Sequence, residues 1–126
     1  MRAVELRVLD EQYAVWKLSA DAEVPGNLHG RFVSVTRTAN ELSVVAPSHL
    51  APEDVPIETG WSCFEVQGPL AFELTGILAA VSAPLAAAEI PIFAVSTFDT
   101  DYLLVRTVHL ERAVTALRTA GHRVSG

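Results

Sequence analysis

Short apolar runs broken by polar punctuation fill the first half of the chain. "VELRVLD" (residues 4–10) and "YAVWKL" (13–18) are rich in β-branched and aromatic residues, which predicts strands separated by a turn at Asp10, Glu11 and Gln12. "RFVSVTRT" (31–38) and "ELSVVAP" (41–47) predict a hairpin turning at Ala39 and Asn40. Between the pairs, "SADAEVPGNLHG" carries Pro25, Gly26 and Gly30 and reads as a loop with at most one helical turn. The three prolines of "PSHLAPEDVP" allow only a very short helix.

The second half has a different period. "WSCFEVQG" (61–68) predicts a strand closed by Gly68 and Pro69. From Thr75 the apolar spacing becomes helical, with Ile77, Leu78, Val81, Leu85 and Ala88 on one side, and Pro84 is expected to kink or split that helix. "IFAVSTFDTDYLLV" (92–105) is a second hairpin. Leu110, Ala113, Val114 and Leu117 then mark a cleaner helix, with Gly121 as its left-handed C-cap and "HRVS" as a final strand. The resulting order, β-α-β-β-α-β, is that of a ferredoxin-like unit.

An ungapped self-match at an offset of 60 strengthens the picture. Residues 33–36 fall on 93–96, residues 41–45 on 101–105, and His49-Leu50 on His109-Leu110, which implies a duplicated module of about 60 residues. The expected organisation is α+β: two ferredoxin-like units, residues 1–60 with degenerate helices and residues 61–126 complete, with antiparallel sheets and helices on one face. The duplication also accounts for the acidic, hydroxyl-rich tip "STFDTD", because such residues satisfy local backbone groups at a turn.

Composition narrows the function. Half of the 126 residues are apolar, and the net charge of −6 with nine scattered basic residues excludes a general nucleic-acid binder. No run approaches the roughly 18 apolar residues of a membrane span, and the N-terminus shows no signal-peptide core. A single cysteine, Cys63, allows no intrachain disulfide. It alternates with strand residues and reads as a buried structural thiol in a cytoplasmic protein.

Catalysis finds no support. His29, His49, His109 and His122 fall in no nucleophile motif, and His49 and His109 occupy matching positions in the repeat. Asp99 and Asp101 share one solvated tip without the spacing of a calcium loop, so no metal is expected. There is no phosphate-binding glycine loop and no cofactor fingerprint.

With these residues placed, "LTGILAAVSAPLAAAEIPIFAVST" (74–97) resembles the signature of the ACT domain, a small regulatory module. Its glycine opens the first helix, and an Ile-x-Ile step leads into the second strand. With "FVSVTRTANELSVV", "GWSCFEVQGPLAF" and "STFDTDYLLV", the whole chain resembles compact bacterial tandem-ACT proteins without an attached enzyme. These are similar to the ACT units of aspartate kinases and of CASTOR-type arginine sensors.

The resemblance implies a non-enzymatic regulatory protein without cofactors. It would bind a small molecule, most often an amino acid, at an interface between ACT units. Transferred to this sequence, the ligand residues are Thr75, Gly76, Ile77 and Leu78 at the helix start, with Ser96, Thr97 and Asp101 from the neighbouring hairpin. A protein–protein interaction module without a ligand is the alternative. In the hairpin, Ile92, Ala94 and Leu104 alternate with Phe93, Val95, Leu103 and Val105, so both faces are apolar and a homodimer is expected to cover one of them.

Overall fold

A computed structural model describes residues 3–67 and 76–126, with eight strands and two α-helices. The strands are β1 (Glu5–Val8), β2 (Tyr13–Leu18), β3 (Ser34–Arg37), β4 (Leu42–Pro47), β5 (Ile57–Val66), β6 (Ile92–Ser96), β7 (Asp101–Arg106) and β8 (Arg123–Ser125). The helices are α1 (Ile77–Ala87) and α2 (Leu110–Thr119). The chain groups into two compact units: Glu11–Trp61, and Met1–Asp10 together with Ser62–Gly126. The sequence division at residue 60 counts β1 with the first module, but the hydrogen bonds of β1 go to β5 and β8 of the other.

In the 62–126 unit the strand order is β6-β7-β5-β1-β8. β1 runs antiparallel to β5, with Leu6 opposite Val66, and parallel to β8, with Leu6 opposite Val124. Alternation along the strands gathers Leu6, Phe64, Val66, Leu103, Val105 and Val124 into one core with Ile77, Val81 and Leu85 of α1 and Ala113 and Leu117 of α2. The periodicity of α2 and its closure at Gly121 are as expected. Gly121 has φ 99°, and the Gly121 and His122 amides donate to the Arg118 and Leu117 carbonyls at 3.0 Å each. α1 ends in the same motif without a glycine: Glu89 takes φ 59°, and the Ile90 amide donates to the Leu85 carbonyl at 3.0 Å.

Two expectations for α1 need correction. Pro84 does not split the helix, which runs unbroken through it. A proline has no amide hydrogen, so the Ala80 carbonyl loses its ordinary donor four residues on. Buried His122 replaces that donor, with Nε2 2.8 Å from the Ala80 carbonyl. The Val4 amide donates to Nδ1 at 3.0 Å, so the ring is neutral with its proton on Nε2. Leu78, expected on the inner side with Ile77, is instead 36% exposed.

The 11–61 unit orders its strands β3-β4-β2-β5, using the first part of β5. It contains no α-helix; its one helical piece is a 3₁₀ turn, Ser48–Leu50, as the prolines dictate. One buried cluster gathers Ala14, Trp16, Val44 and Ala46, flanked by partly buried Leu28, Val33, Leu50 and Val55, and Tyr13, Phe32, Leu42 and Val45 are buried as well. The Arg37 guanidinium donates to the carbonyls of Ala20 and, at 2.7 Å, Ala22, which ties down the long loop before β3.

The hairpins of the two units match at an offset of 59, not 60. Arg37 pairs with Leu42 as Ser96 pairs with Asp101. The Thr38 amide donates to Glu41 at 2.9 Å as the Thr97 amide donates to Thr100 at 2.8 Å. The 3₁₀ turn Ser48–Leu50 answers to Thr107–His109. His109 is therefore equivalent to Leu50 rather than to His49. The face assignment in the second hairpin changes as well, because Phe93 lies opposite Leu104 and Ala94 opposite Leu103.

Candidate functional site

The start of α1 carries three of the seven residues expected to bind a ligand, Gly76, Ile77 and Leu78. Gly76 is the N-cap, in a left-handed conformation with φ 77° and ψ 1° that side-chain-bearing residues adopt at a cost. Among the described residues, a Cβ built on it would meet no atom within 4 Å. Among the described residues no side chain caps the first turn, and the turn carries no acidic residue to offset the positive end of the helix dipole. Ile77 is buried in the core beneath, while Leu78 faces outward. Thr75 lies outside the described residues.

Connectivity brings the β6–β7 tip to the same end of the unit. α1 leads back to the start of β6, and β6 runs toward the tip formed by residues 97–100. Buried Thr100 fastens that tip to the end of β5, its Oγ1 donating to the Val66 carbonyl at 2.8 Å. The predicted polar ligands of the tip are engaged locally. Ser96 Oγ donates to Asp101 Oδ1 at 2.5 Å, and Thr97 Oγ1 donates to the Thr100 carbonyl at 3.0 Å. Asp99 and Phe98 project outward, with Phe98 80% exposed. The main chain at Gly76 is therefore the more open part of the site, and the carboxylate of Asp101 is already bonded to Ser96.

One buried charged group, Glu65, escapes the sequence reading. Glu65 is almost fully buried, accepting from Tyr102 Oη at 3.1 Å and from Gln67 Nε2 at 3.2 Å. The signal was the alternation of Cys63, Glu65 and Gln67 on one strand face, opposite that of Phe64 and Val66. Cys63 is fully buried as expected. Desolvation, reinforced by the charge of Glu65, pushes its thiol up from 9.0 to about 12, so no thiolate nucleophile exists near neutral pH.

Elsewhere, an open groove of about 510 Å³ lies at the other end of α1, lined by Ala88, Glu111, Arg112, Thr115 and Ala116. The Arg112 guanidinium donates to the Ala88 carbonyl there at 2.6 Å, which commits it to closing α1. Among the described residues no three histidine, cysteine or acidic side chains gather as a metal centre, and no helix is long and apolar enough to cross a membrane.

The ACT domain family model matches residues 56–119, just over half of the chain. The chain belongs to the ACT domain family. A separate model of an N-terminal domain matches residues 11–54, inside the other compact unit. A protein of Agobacterium tumefaciens, known from its crystal structure, is 44% identical, with 100% of this chain and 96% of that one covered and a TM-score of 0.93. The ligand-free regulatory subunit of aspartate kinase from Thermus thermophilus is similar at 12% identity, covering 94% of this chain and 99% of that one, with a TM-score of 0.62. The aspartate kinase of Clostridium acetobutylicum, described as an allosteric enzyme, matches at 14% identity over 88% of this chain and 33% of its own, with a TM-score of 0.63. At such identities the aspartate kinases share the ACT fold alone.

Proposed function

We propose that this ACT-domain protein is a non-enzymatic, cytoplasmic sensor that binds an amino acid. The first-turn amides of α1 receive the ligand's carboxylate, and the hairpin tip at Ser96, Thr97 and Asp101 receives its ammonium end. The observation that carries this reading is the open, uncapped start of α1 at Gly76. First-turn amides that no side chain caps among the described residues, together with the dipole, favour an anion there, and the glycine lets it approach the main chain. The ACT units of two copies of the chain would enclose the ligand in a homodimer. Binding in only one arrangement of the units would shift their population and so transmit the signal. The matching hairpins and strand orders support reading 11–61 as a reduced second ACT-type unit without a helix start of its own.

A thermal-shift screen of the twenty amino acids tests the proposal. A specific ligand at 100 times its Kd adds about 2.7 kcal/mol, which raises the Tm of a domain this size by about 10 °C. Leu78→Glu sharpens the test. A carboxylate in the first turn stabilises the ligand-free helix by about 0.3–1 kcal/mol yet repels the ligand's own carboxylate. The midpoint without ligand should therefore rise while the ligand-induced shift shrinks. A flat response across all twenty amino acids favours an interaction module without a ligand. An undiminished shift in Leu78→Glu places the carboxylate elsewhere.

A further inference from the structure

The 11–61 unit holds a pair of histidines that the amino-acid proposal does not use. Gly30 sits where a Cβ would come within 2.6 Å of Pro47 Cγ and 3.2 Å of Glu11 Oε1, so the loop before β3 can press against the end of β4 only because residue 30 is glycine. The Ser48 amide donates to the Gln12 carbonyl at 2.9 Å, which fixes the 3₁₀ turn beside β2. These two contacts bring His29 and His49 together from segments twenty residues apart. Their rings stand edge to face with centroids 5.8 Å apart, and both residues are solvent-exposed. The Glu11 carboxylate lies beside Gly30 at the same end of β4.

Two imidazoles bound to one tetrahedral zinc at about 2.0–2.1 Å hold their ring centroids roughly 5–6 Å apart, which is the separation found here. Imidazole is also the side chain that borderline divalent ions select over calcium or magnesium. We propose that His29 and His49 form a two-imidazole site for a borderline divalent transition-metal ion such as zinc or nickel. No third histidine, cysteine or acidic side chain among the described residues completes a cluster with them, so the ion's remaining positions are open to water or a small ligand. Such a site is an exchangeable metal-binding position, distinct from a closed structural zinc centre. It stands independently of the amino-acid reading, because it uses neither α1 nor the second hairpin.

The test is calorimetric titration of the untagged full chain with zinc chloride and nickel chloride, with ¹H NMR of the imidazole ring protons alongside. The expected result is one ion per chain in the micromolar range. Nickel should selectively broaden the His29 and His49 resonances. His29→Gln and His49→Gln should each weaken binding by at least about tenfold, and His109→Gln should leave it unchanged. Both rings are exposed, so metal-free thermal midpoints should stay at the wild-type value. No heat at millimolar metal overturns the proposal. So does wild-type affinity retained in the His29→Gln/His49→Gln double variant. Should a variant misfold, the nickel broadening pattern in the wild type still decides: broadening at other histidines refutes the site.

Discussion

His122 should prove indispensable to α1, and a proline should be the reason. Its Nε2 donates to the Ala80 carbonyl at 2.8 Å and its Nδ1 accepts from the Val4 amide at 3.0 Å. His122→Leu keeps a side chain of similar bulk but strands one buried carbonyl and one buried amide. Each stranded group costs about 1–3 kcal/mol, so the loss is about 2–6 kcal/mol. That is a large part of the ~5–15 kcal/mol that holds a typical domain folded. Pro84→Ala restores an amide hydrogen four residues after Ala80. In the His122→Leu background it should repair the carbonyl and recover about 1–3 kcal/mol more than the same change gives in the wild type. Urea denaturation of the four proteins, followed by far-UV circular dichroism, measures the cycle. If Pro84→Ala shifts stability equally in both backgrounds, within about 0.5 kcal/mol, the two residues are uncoupled and the explanation of the unbroken helix is wrong.

Three smaller effects follow from the same geometry. Glu89 holds a left-handed conformation at φ 59°, so Glu89→Gly should stabilise the protein by about 1 kcal/mol in urea melts; a loss of stability would contradict the strain. Cys63 should resist iodoacetamide in the native protein at pH 8 and react only on unfolding. Its raised folded-state value means that stability is intact below pH 9.0 and declines as pH climbs toward 12, because only the unfolded thiol ionises in that window. The Cys63→Ala variant should lose less stability than the wild type over the same range. Thr100→Val strands the Val66 carbonyl and should cost about 1–3 kcal/mol by chemical denaturation, whereas Asp99→Ala on the same tip should stay within about 0.5 kcal/mol.

The difference between Thr100 and Asp99 shows what the sequence could and could not convey. Helical and strand periods are properties of neighbouring residues, so α2, its Gly121 closure and the β-α-β-β-α-β order were legible from spacing alone. Register is not such a property. Alternating strands such as "VSVT" and "FAVS" look alike at adjacent offsets, and matching apolar positions put the repeat at 60. The hydrogen bonds of the two turns put it at 59. A slip of one residue exchanges the two faces of a strand. At the correct offset Glu41 is equivalent to Thr100 rather than to Asp101, so both hairpin tips carry an acid but at different positions of the turn. Pro84 failed as a helix breaker for a related reason. Its remedy, His122, lies 38 residues further on, and no local pattern announces a donor supplied across that distance.

The changes between the matching hairpins' surroundings also bear on chemistry. In one unit the second strand is preceded by α1, whose first turn presents amides and a positive dipole end. In the other the same strand is preceded by a loop, so that electropositive feature has no counterpart there. The loop is not simply a lost helix. The Arg37 fork to Ala20 and Ala22 fixes one end of it, and the contact of Gly30 with Pro47 fixes the other. A chain free to drift would need neither. Under the proposed reading of 11–61 as a reduced ACT-type unit, an anchored loop bearing exposed His29 and His49 stands where the other unit has a helix start. The tests at Leu78 and at His29 and His49 can therefore succeed or fail separately.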